Sequence, residues 1–349
     1  MRYFCTYFNQ GYLSRGLCLW ESLKAQLPQG FRLYILALDE EVERFFAQNP
    51  FEGVVVVPLV ALEAHYPELL QVKPTRTTVE YYFTLTPCLP NYLLTTYPEI
   101  DLITYVDADI YFFASPEVIF EEMGEASILL VPHRFSEAKK GLEVYGRYNV
   151  VFNSFRRDAD GLRCLQWWQE QCLAWCYDRV EEGKFADQKY LDYFETLSQK
   201  IVVTANKGVN LAVFNVDNGQ LSRQKGRYLV DENPLVFYHY HHLREIHQYV
   251  FDIGVDNEVF YFNPVLVSIY KRYIQSMYKL TKKYSIKPTT NVRYHSVGLS
   301  GAKLRDRLIY GYSLVVHPLY AGGVHLQKPY ERYLKIKKMF ANNGKTTQP

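Results

Sequence analysis

The stretch Leu102-Ile103-Thr104-Tyr105-Val106-Asp107-Ala108-Asp109-Ile110-Tyr111-Phe112-Phe113 runs from an apolar strand straight into two carboxylates one residue apart. Residues 102–106 have the near-continuous apolar pattern of a strand buried on both faces, as in a parallel sheet. In open α/β sheets ligands bind beyond the carboxyl ends of such strands. Two neighbouring carboxylates in apolar surroundings repel each other and lose hydration, so a cation is their natural neutraliser. Oxygen ligands suit Mn²⁺ or Mg²⁺.

The same letters recur at Asp158-Ala159-Asp160, and context separates the two copies. The second follows Arg156-Arg157 and precedes a helical pattern over residues 162–177, with Leu165, Trp168, Cys172 and Trp175 on one side. There Asp160 is expected to cap backbone N–H groups. The tryptophans at 167, 168 and 175 keep helical spacing and are expected in the core.

Upstream, strands and helices alternate. Residues 3–8 read as a strand, and Leu17, Trp20, Leu23 and Leu27 give helical spacing that Pro28 stops. Residues 31–38 are a second strand and the four valines 54–57 a third. A helix is expected over about 81–97, strands at 127–132, 148–155 and near 201–204, and a histidine-bearing strand over 235–242. Alternation of this kind implies an α/β fold with a largely parallel sheet flanked by helices. Near residue 250 the pattern changes to a basic helix over about 264–283 and a second basic segment at 330–340. The expected division is therefore 1–250 and a basic, partly helical extension, 251–349.

Of the 349 residues 48% are apolar, enough for a sizeable core and too many for disorder. The net charge is only +2, yet residues 251–349 carry 11 Lys and 5 Arg against 3 Asp and 2 Glu. That surplus of +11 leaves −9 for the first 250 residues. Such a region could lie on anionic lipid or a polyanionic glycan, or be a solvated face. The six cysteines form no CxxC pair, no leader opens the chain and no run of 18 apolar residues occurs. A cytoplasmic protein with reduced thiols is expected, at most peripheral on a membrane, with no nucleic-acid partner.

Two carboxylates rarely complete a coordination shell, so a third ligand is sought. His239, His241 and His242 are the late candidates; on a strand the first two would share a face. An imidazole beside the acids would favour Mn²⁺ over Mg²⁺.

With these residues the chain resembles the GT-A glycosyltransferases, a Rossmann-like fold, and within them the retaining galactosyltransferase and glycogenin-like group with its bacterial relatives. Tyr105-Val106-Asp107-Ala108-Asp109 looks like that family's metal-binding aspartate motif. Tyr148-Asn149-Val150 looks like its Phe-Asn-Ala/Ser-Gly segment, Asp187-Gln188 like its Asp-Gln pair, and His239-Tyr240 like its late His-Phe. Order and rough spacing agree over about residues 1–245. The resemblance implies a metal held by Asp107, Asp109 and His239, and a nucleotide diphosphate-sugar donor, with a UDP-sugar expected. It implies that Asn149, Asp187 and Gln188 act at the donor sugar, with transfer to a saccharide or lipid-linked acceptor and retention of configuration. Thr6, Phe8, Asn9 and Tyr12 at the end of the first strand are the implied nucleotide contacts, and Asp107 also faces the donor.

This chain departs from the pattern at four places: Asn9 takes the place of an Asp that often contacts the base, Val151 replaces a glycine, His242 stands where glycine is common, and Leu243-Arg244 replaces Lys-Pro-Trp. Arg244 and Arg76 are candidates for the phosphates, Arg76 equally for an ordinary surface arginine. Asp39 could hold a ribose hydroxyl or cap the next helix. Lys207-Gly208 follows a strand, where the glycine could let backbone approach the donor. Two other classes compete: a sugar-1-phosphate nucleotidyltransferase and a non-catalytic GT-A-like shell docking at membranes. The first needs a glycine-rich basic loop, but Gly11 stands alone with no basic neighbour until Arg15. Against the second stand the intact acid pair and Asp187-Gln188.

Overall fold

The structure is a computed structural model that describes residues 1–247, 250–252 and 263–286, with side chains of residues 1–243 and 263–286. The chain falls into two compact units, Met1–Tyr240 and His241–Pro349.

The first unit opens with β1 (Arg2–Phe8), α1 (Leu13–Gln26), β2 (Phe31–Ala37), α2 (Glu40–Gln48) and β3 (Val54–Pro58). Short helices α3 (Leu59–His65) and α4 (Glu68–Val72) lead into the long α5 (Thr78–Thr96). A reciprocal pair of bonds between Thr77 and Glu80 starts α5, satisfying two of the N–H groups a helix end leaves open. Next come β4 (Leu102–Val106), β5 (Ile110–Phe112), α6 (Glu117–Met123), β6 (Ile128–Pro132), β7 (Tyr148–Arg156) and α7 (Ala159–Ala174). After α8 (Phe194–Leu197) and β8 (Ile201–Val203), a small three-stranded sheet of β9 (Leu221–Gln224), β10 (Arg227–Val230) and β11 (Asn233–Pro234) precedes β12 (Phe237–His239).

Seven strands form the main sheet in the order β3-β2-β1-β4-β7-β6-β8, and all but β7 point one way. The expected mixed, mostly parallel sheet is therefore present. On one face α5 and α7 pack together, with Leu85, Leu89, Tyr105, Phe155, Leu165 and Trp168 in the core between sheet and helices. Trp168 is fully buried, as its spacing required. All six cysteines are free and buried.

Two expectations need correcting. The helix over 162–177 spans Ala159–Ala174, and its cap is Asp158, whose side chain accepts from Gly161 N at 2.8 Å. Its other oxygen accepts from Ser127 Oγ at 2.7 Å, while Asp160 pairs with Arg163 and Lys200. The capping role thus moves by two residues, because Asp158 is the last residue with extended backbone. The histidine strand is only Phe237–His239, so the alternation expected to carry to His241 and His242 stops before them. His242 has φ +67°, a left-handed backbone, which accounts for a preference for glycine at that point.

In the second unit, residues 244–247 and 250–252 form a hairpin, and α9 (Pro264–Lys283) is the expected basic helix. The basic segment 330–340 and the rest of 287–349 lie outside the described residues.

Asp158→Ala should lower unfolding free energy by about 1–2 kcal/mol, the usual cost of losing an N-cap with a further side-chain bond. Urea denaturation of the variant, compared with Asp160→Ala, checks this; the latter removes ion pairs with the exposed Arg163 and Lys200 and should cost less than Asp158→Ala.

Candidate active site

β4 ends at Val106, and the chain turns through Asp107-Ala108-Asp109 into β5. The turn is held by Asp107 N, which donates to Val151 O at 3.1 Å on the reversed strand β7. β12 pairs antiparallel with β5, placing His239 opposite Ile110. Tyr240 N then donates to Asp109 O at 3.0 Å and His239 N to Leu211 O at 2.9 Å. Two segments some 130 residues apart in sequence are thereby locked side by side.

As a result His239 Nε2 lies 3.4 Å from Asp109 Oδ1 and 3.7 Å from Asp107 Oδ2. One ligand atom from each residue lies within 4.8 Å of the others, and no other such group of three occurs among the described residues. His239 is buried at 5% exposure. Tyr105 Oη donates to Asp107 Oδ1 at 2.9 Å, orienting that carboxylate from behind. Two carboxylate oxygens and an imidazole nitrogen are a donor set that fits Mn²⁺ and also admits Mg²⁺.

The electrostatics point the same way. Burial lifts the Asp107 carboxyl to about 6; His239 and the Tyr105 hydroxyl pull it down and Asp109 pushes it up. Burial alone would lower the His239 imidazolium, but Asp109 first and Asp107 behind it leave its pKa above the ordinary value.

Asp187 stands beside Asp107. Burial lifts it to about 7, a hydrogen bond with the Thr86 side chain works against that, and the Asp107 charge adds to it. Its Oδ2 is buried and accepts no hydrogen bond among the described residues. Trp168 Nε1 donates to Asp187 O at 2.8 Å, and Ala186 before it is held at φ +45°, costly for a residue with a Cβ. Tyr7 Oη bonds Thr86 Oγ1 at 3.0 Å, and burial, followed by the charges of Asp187 and Asp107, raises the phenol well above its ordinary range.

The remaining candidates fall in several places. Asn149 is buried on β7, and its Oδ1 accepts from Val151 N at 3.1 Å, so it flanks the backbone that holds Asp107. Gln188 Nε2 donates to Tyr145 O at 3.1 Å. Thr6 is fully buried with Oγ1 unpartnered among the described residues, and Phe8 packs against Phe46. Asn9 precedes a short turn, Gln10–Tyr12, and Tyr12 is 43% exposed under the Arg15 guanidinium.

Asp39 caps α2 through Val42 N at 2.9 Å and also accepts from Gln10 N at 2.7 Å, so it ties the first loop to the second strand. Arg76 is committed to the helices: it donates to Thr84 Oγ1 and, at 2.7 Å, to Leu173 O. Lys207 pairs with Asp231 at 2.7 Å. A Cβ at Gly208 would come within 1.9 Å of Pro234 O, so close backbone packing there requires the glycine. The side chain of Arg244 lies outside the described part of the chain.

Tyr7, Thr86 and Tyr105 were not singled out as site residues from sequence, although Tyr105 lies on β4 two residues before Asp107. His133 is a fourth such residue: it is buried, stacked on Phe135 at 4.5 Å, and burial followed by the His239 charge lowers it to about 3.

No family model matches the chain. It is 36% identical over 245 residues to the uncharacterized protein YfnF of Bacillus subtilis (strain 168), covering 68% of this chain and 80% of that protein. It is 30% identical over 215 residues to the uncharacterized protein YfnD of the same organism, covering 60% and 68%. Among solved structures it superposes on the galactosyltransferase LgtC, crystallised with donor and acceptor sugar analogues, with a TM-score of 0.50 and 15% identity. The match covers 80% of this chain and 99% of LgtC. The fold is GT-A.

Asp107, Asp187 and His239 all have pKa values raised by folding, so these three together hold more protons in the folded chain than in the unfolded one between about pH 4 and 7, an excess that the lowered His133 offsets only in part. Metal-free protein should therefore melt at lower temperature as pH rises through that window. Added Mn²⁺ should raise the melting temperature more at pH 8 than at pH 5, because protons compete for the same oxygens. Differential scanning calorimetry across pH, with and without Mn²⁺, measures both.

Proposed function

The chain belongs to the family of the Bacillus subtilis proteins YfnF and YfnD, and we propose that it is a metal-dependent hexosyltransferase that takes its sugar from a nucleotide diphosphate donor. The observation that carries this is the convergence of Asp107, Asp109 and His239 within 4.8 Å at the carboxyl end of β4. The GT-A fold shared with a galactosyltransferase supports the same class of chemistry. A divalent ion, Mn²⁺ or Mg²⁺, supplies charge neutralisation for a departing diphosphate when bound there.

The protein's own residues divide the remaining work. Asp107, Asp109 and His239 hold the ion, with Tyr105 fixing the first of them. The loop after β1 and the Asp39 carboxylate that secures it fit the nucleoside, with UDP as the expected carrier. Asn149, Asp187 and Gln188 orient the donor sugar. Asp187 is well suited, since its buried Oδ2 is a carboxylate oxygen in need of a hydroxyl donor. Retention of configuration fits this arrangement, with the acceptor hydroxyl approaching on the face the diphosphate leaves.

The acceptor is a glycan or a lipid-linked saccharide. α9 favours an anionic membrane nearby: it has Lys271, Arg272, Lys279, Lys282 and Lys283 and no acidic residue. None of the described helices is long and apolar enough to cross a membrane, so this contact would be peripheral. Six free, buried thiols suit the cytoplasm, at the inner face of the membrane.

A thermal-shift panel of nucleotide sugars with Mn²⁺ should identify a stabilising donor; at 100 times its dissociation constant the ligand adds about 2.7 kcal/mol. Asp109→Asn should lose donor turnover by at least about 100-fold while its circular dichroism stays native, and retained turnover would refute the site. Changing the five cations of α9 to Gln should reduce co-sedimentation with phosphatidylserine-containing liposomes; unchanged sedimentation would remove the membrane contact.

A further inference from the structure

The nine-residue helical turn Glu137–Tyr145 buries none of its side chains. Leu142, Val144 and Tyr145 are 37%, 45% and 38% exposed. Hydrophobic burial therefore does not hold the turn in place. Polar tethers do. Lys139 Nζ donates to Val213 O at 2.9 Å, Lys189 Nζ to Glu143 O at 3.0 Å, and Gln188 Nε2 to Tyr145 O at 3.1 Å.

Gly146 follows with φ +133°, a conformation that favours glycine, and a Cβ there would come within 3.3 Å of Gln188 Cγ. The Tyr145 ring meets the Phe185 ring with centroids 4.7 Å apart at 59°. Phe185 stands two residues before Asp187. An exposed aromatic ring is thus anchored, through its own backbone carbonyl, to the Gln188 side chain.

We propose that Tyr145, buttressed by Phe185, is the platform on which the sugar ring of the acceptor stacks. The inference rests on reading Asp187 and Gln188 as the sugar end of a transferase site. A pyranose has apolar C–H faces and a hydroxylated rim, and a rigid aromatic face with polar groups close by matches both. An acyl chain fits less well. Glu137, Lys139, Lys140 and Glu143 interrupt the apolar residues of the turn, leaving an island nearer in size to one ring than to a lipid tail.

Saturation-transfer NMR on the full chain with UDP, Mg²⁺ and methyl β-glucopyranoside or methyl β-galactopyranoside tests the proposal. Wild type should transfer saturation to pyranoside ring protons, and Tyr145→Ala should weaken that binding roughly tenfold. Tyr145→Phe should restore it, and both variants should bind UDP as wild type does. Unchanged pyranoside binding in Tyr145→Ala overturns the platform. So does a wild type that binds UDP but neither pyranoside. If wild type binds no UDP with Mg²⁺ or Mn²⁺, the transferase reading itself fails and the platform falls with it.

Discussion

The site depends on keeping like charges together out of water. Asp107, Asp109 and the neighbouring Asp187 would drift apart or protonate in a flexible chain, because burial strengthens their repulsion as it strips their hydration. Here the backbone denies them that freedom. Asp107 is fixed by its N–H to Val151 and by the Tyr105 hydroxyl, and Asp109 by the bond its carbonyl accepts from Tyr240. The constraint surfaces as carboxyl pKa values raised first by burial and further by the neighbouring acids.

The sheet accounts for that fixation. A parallel sheet ends its strands on one edge, but only β4 continues there into a second strand, β5, that leaves the main sheet and pairs with β12. The pairing register puts His239 beside the turn instead of one residue off, and a slip of one residue would send its imidazole to the opposite face. The reversed strand β7 completes the frame by supplying Val151 O from the other side. His239 thus sits on a strand, and the two acids sit in a three-residue turn pinned between two strands, where side-chain placement is less variable than on a free loop.

Much of this was legible in the sequence. The apolar run ending in Asp107-Ala108-Asp109 marks a buried strand and its edge chemistry, and the order of later motifs points to His239. What stayed hidden involves contacts between distant segments. Tyr7 and Thr86 are ordinary residues of a strand and a helix until α5 packs on β1 and their hydroxyls meet. Arg76 looks available in sequence, but the helix packing that commits it to Leu173 O depends on α7. The cap at Asp158 was misplaced by two residues because both aspartates satisfy the local rule, and only the extended backbone at 158 decides between them. Thr77 and Glu80 form a capping box that starts α5 at Thr78, three residues before the start expected from the sequence.

The chain of polar groups behind the acids has a further consequence. Tyr7, Thr86, Asp187, Asp107 and Tyr105 are linked by hydrogen bonds or by mutual charge, and burial raises the pKa of every ionisable member. Buried networks of this kind are rigid when satisfied and costly when one member is left unpaired. Asp187 Oδ2, buried without a hydrogen-bond partner among the described residues, belongs to this network, and its carboxylate feels the Asp107 charge. A ligand bringing positive charge to Asp107 and a hydroxyl to Asp187 would relieve both deficits at once. That pairing of needs, more than any single motif, is what supports the proposed donor, a sugar joined to a metal-bound phosphate.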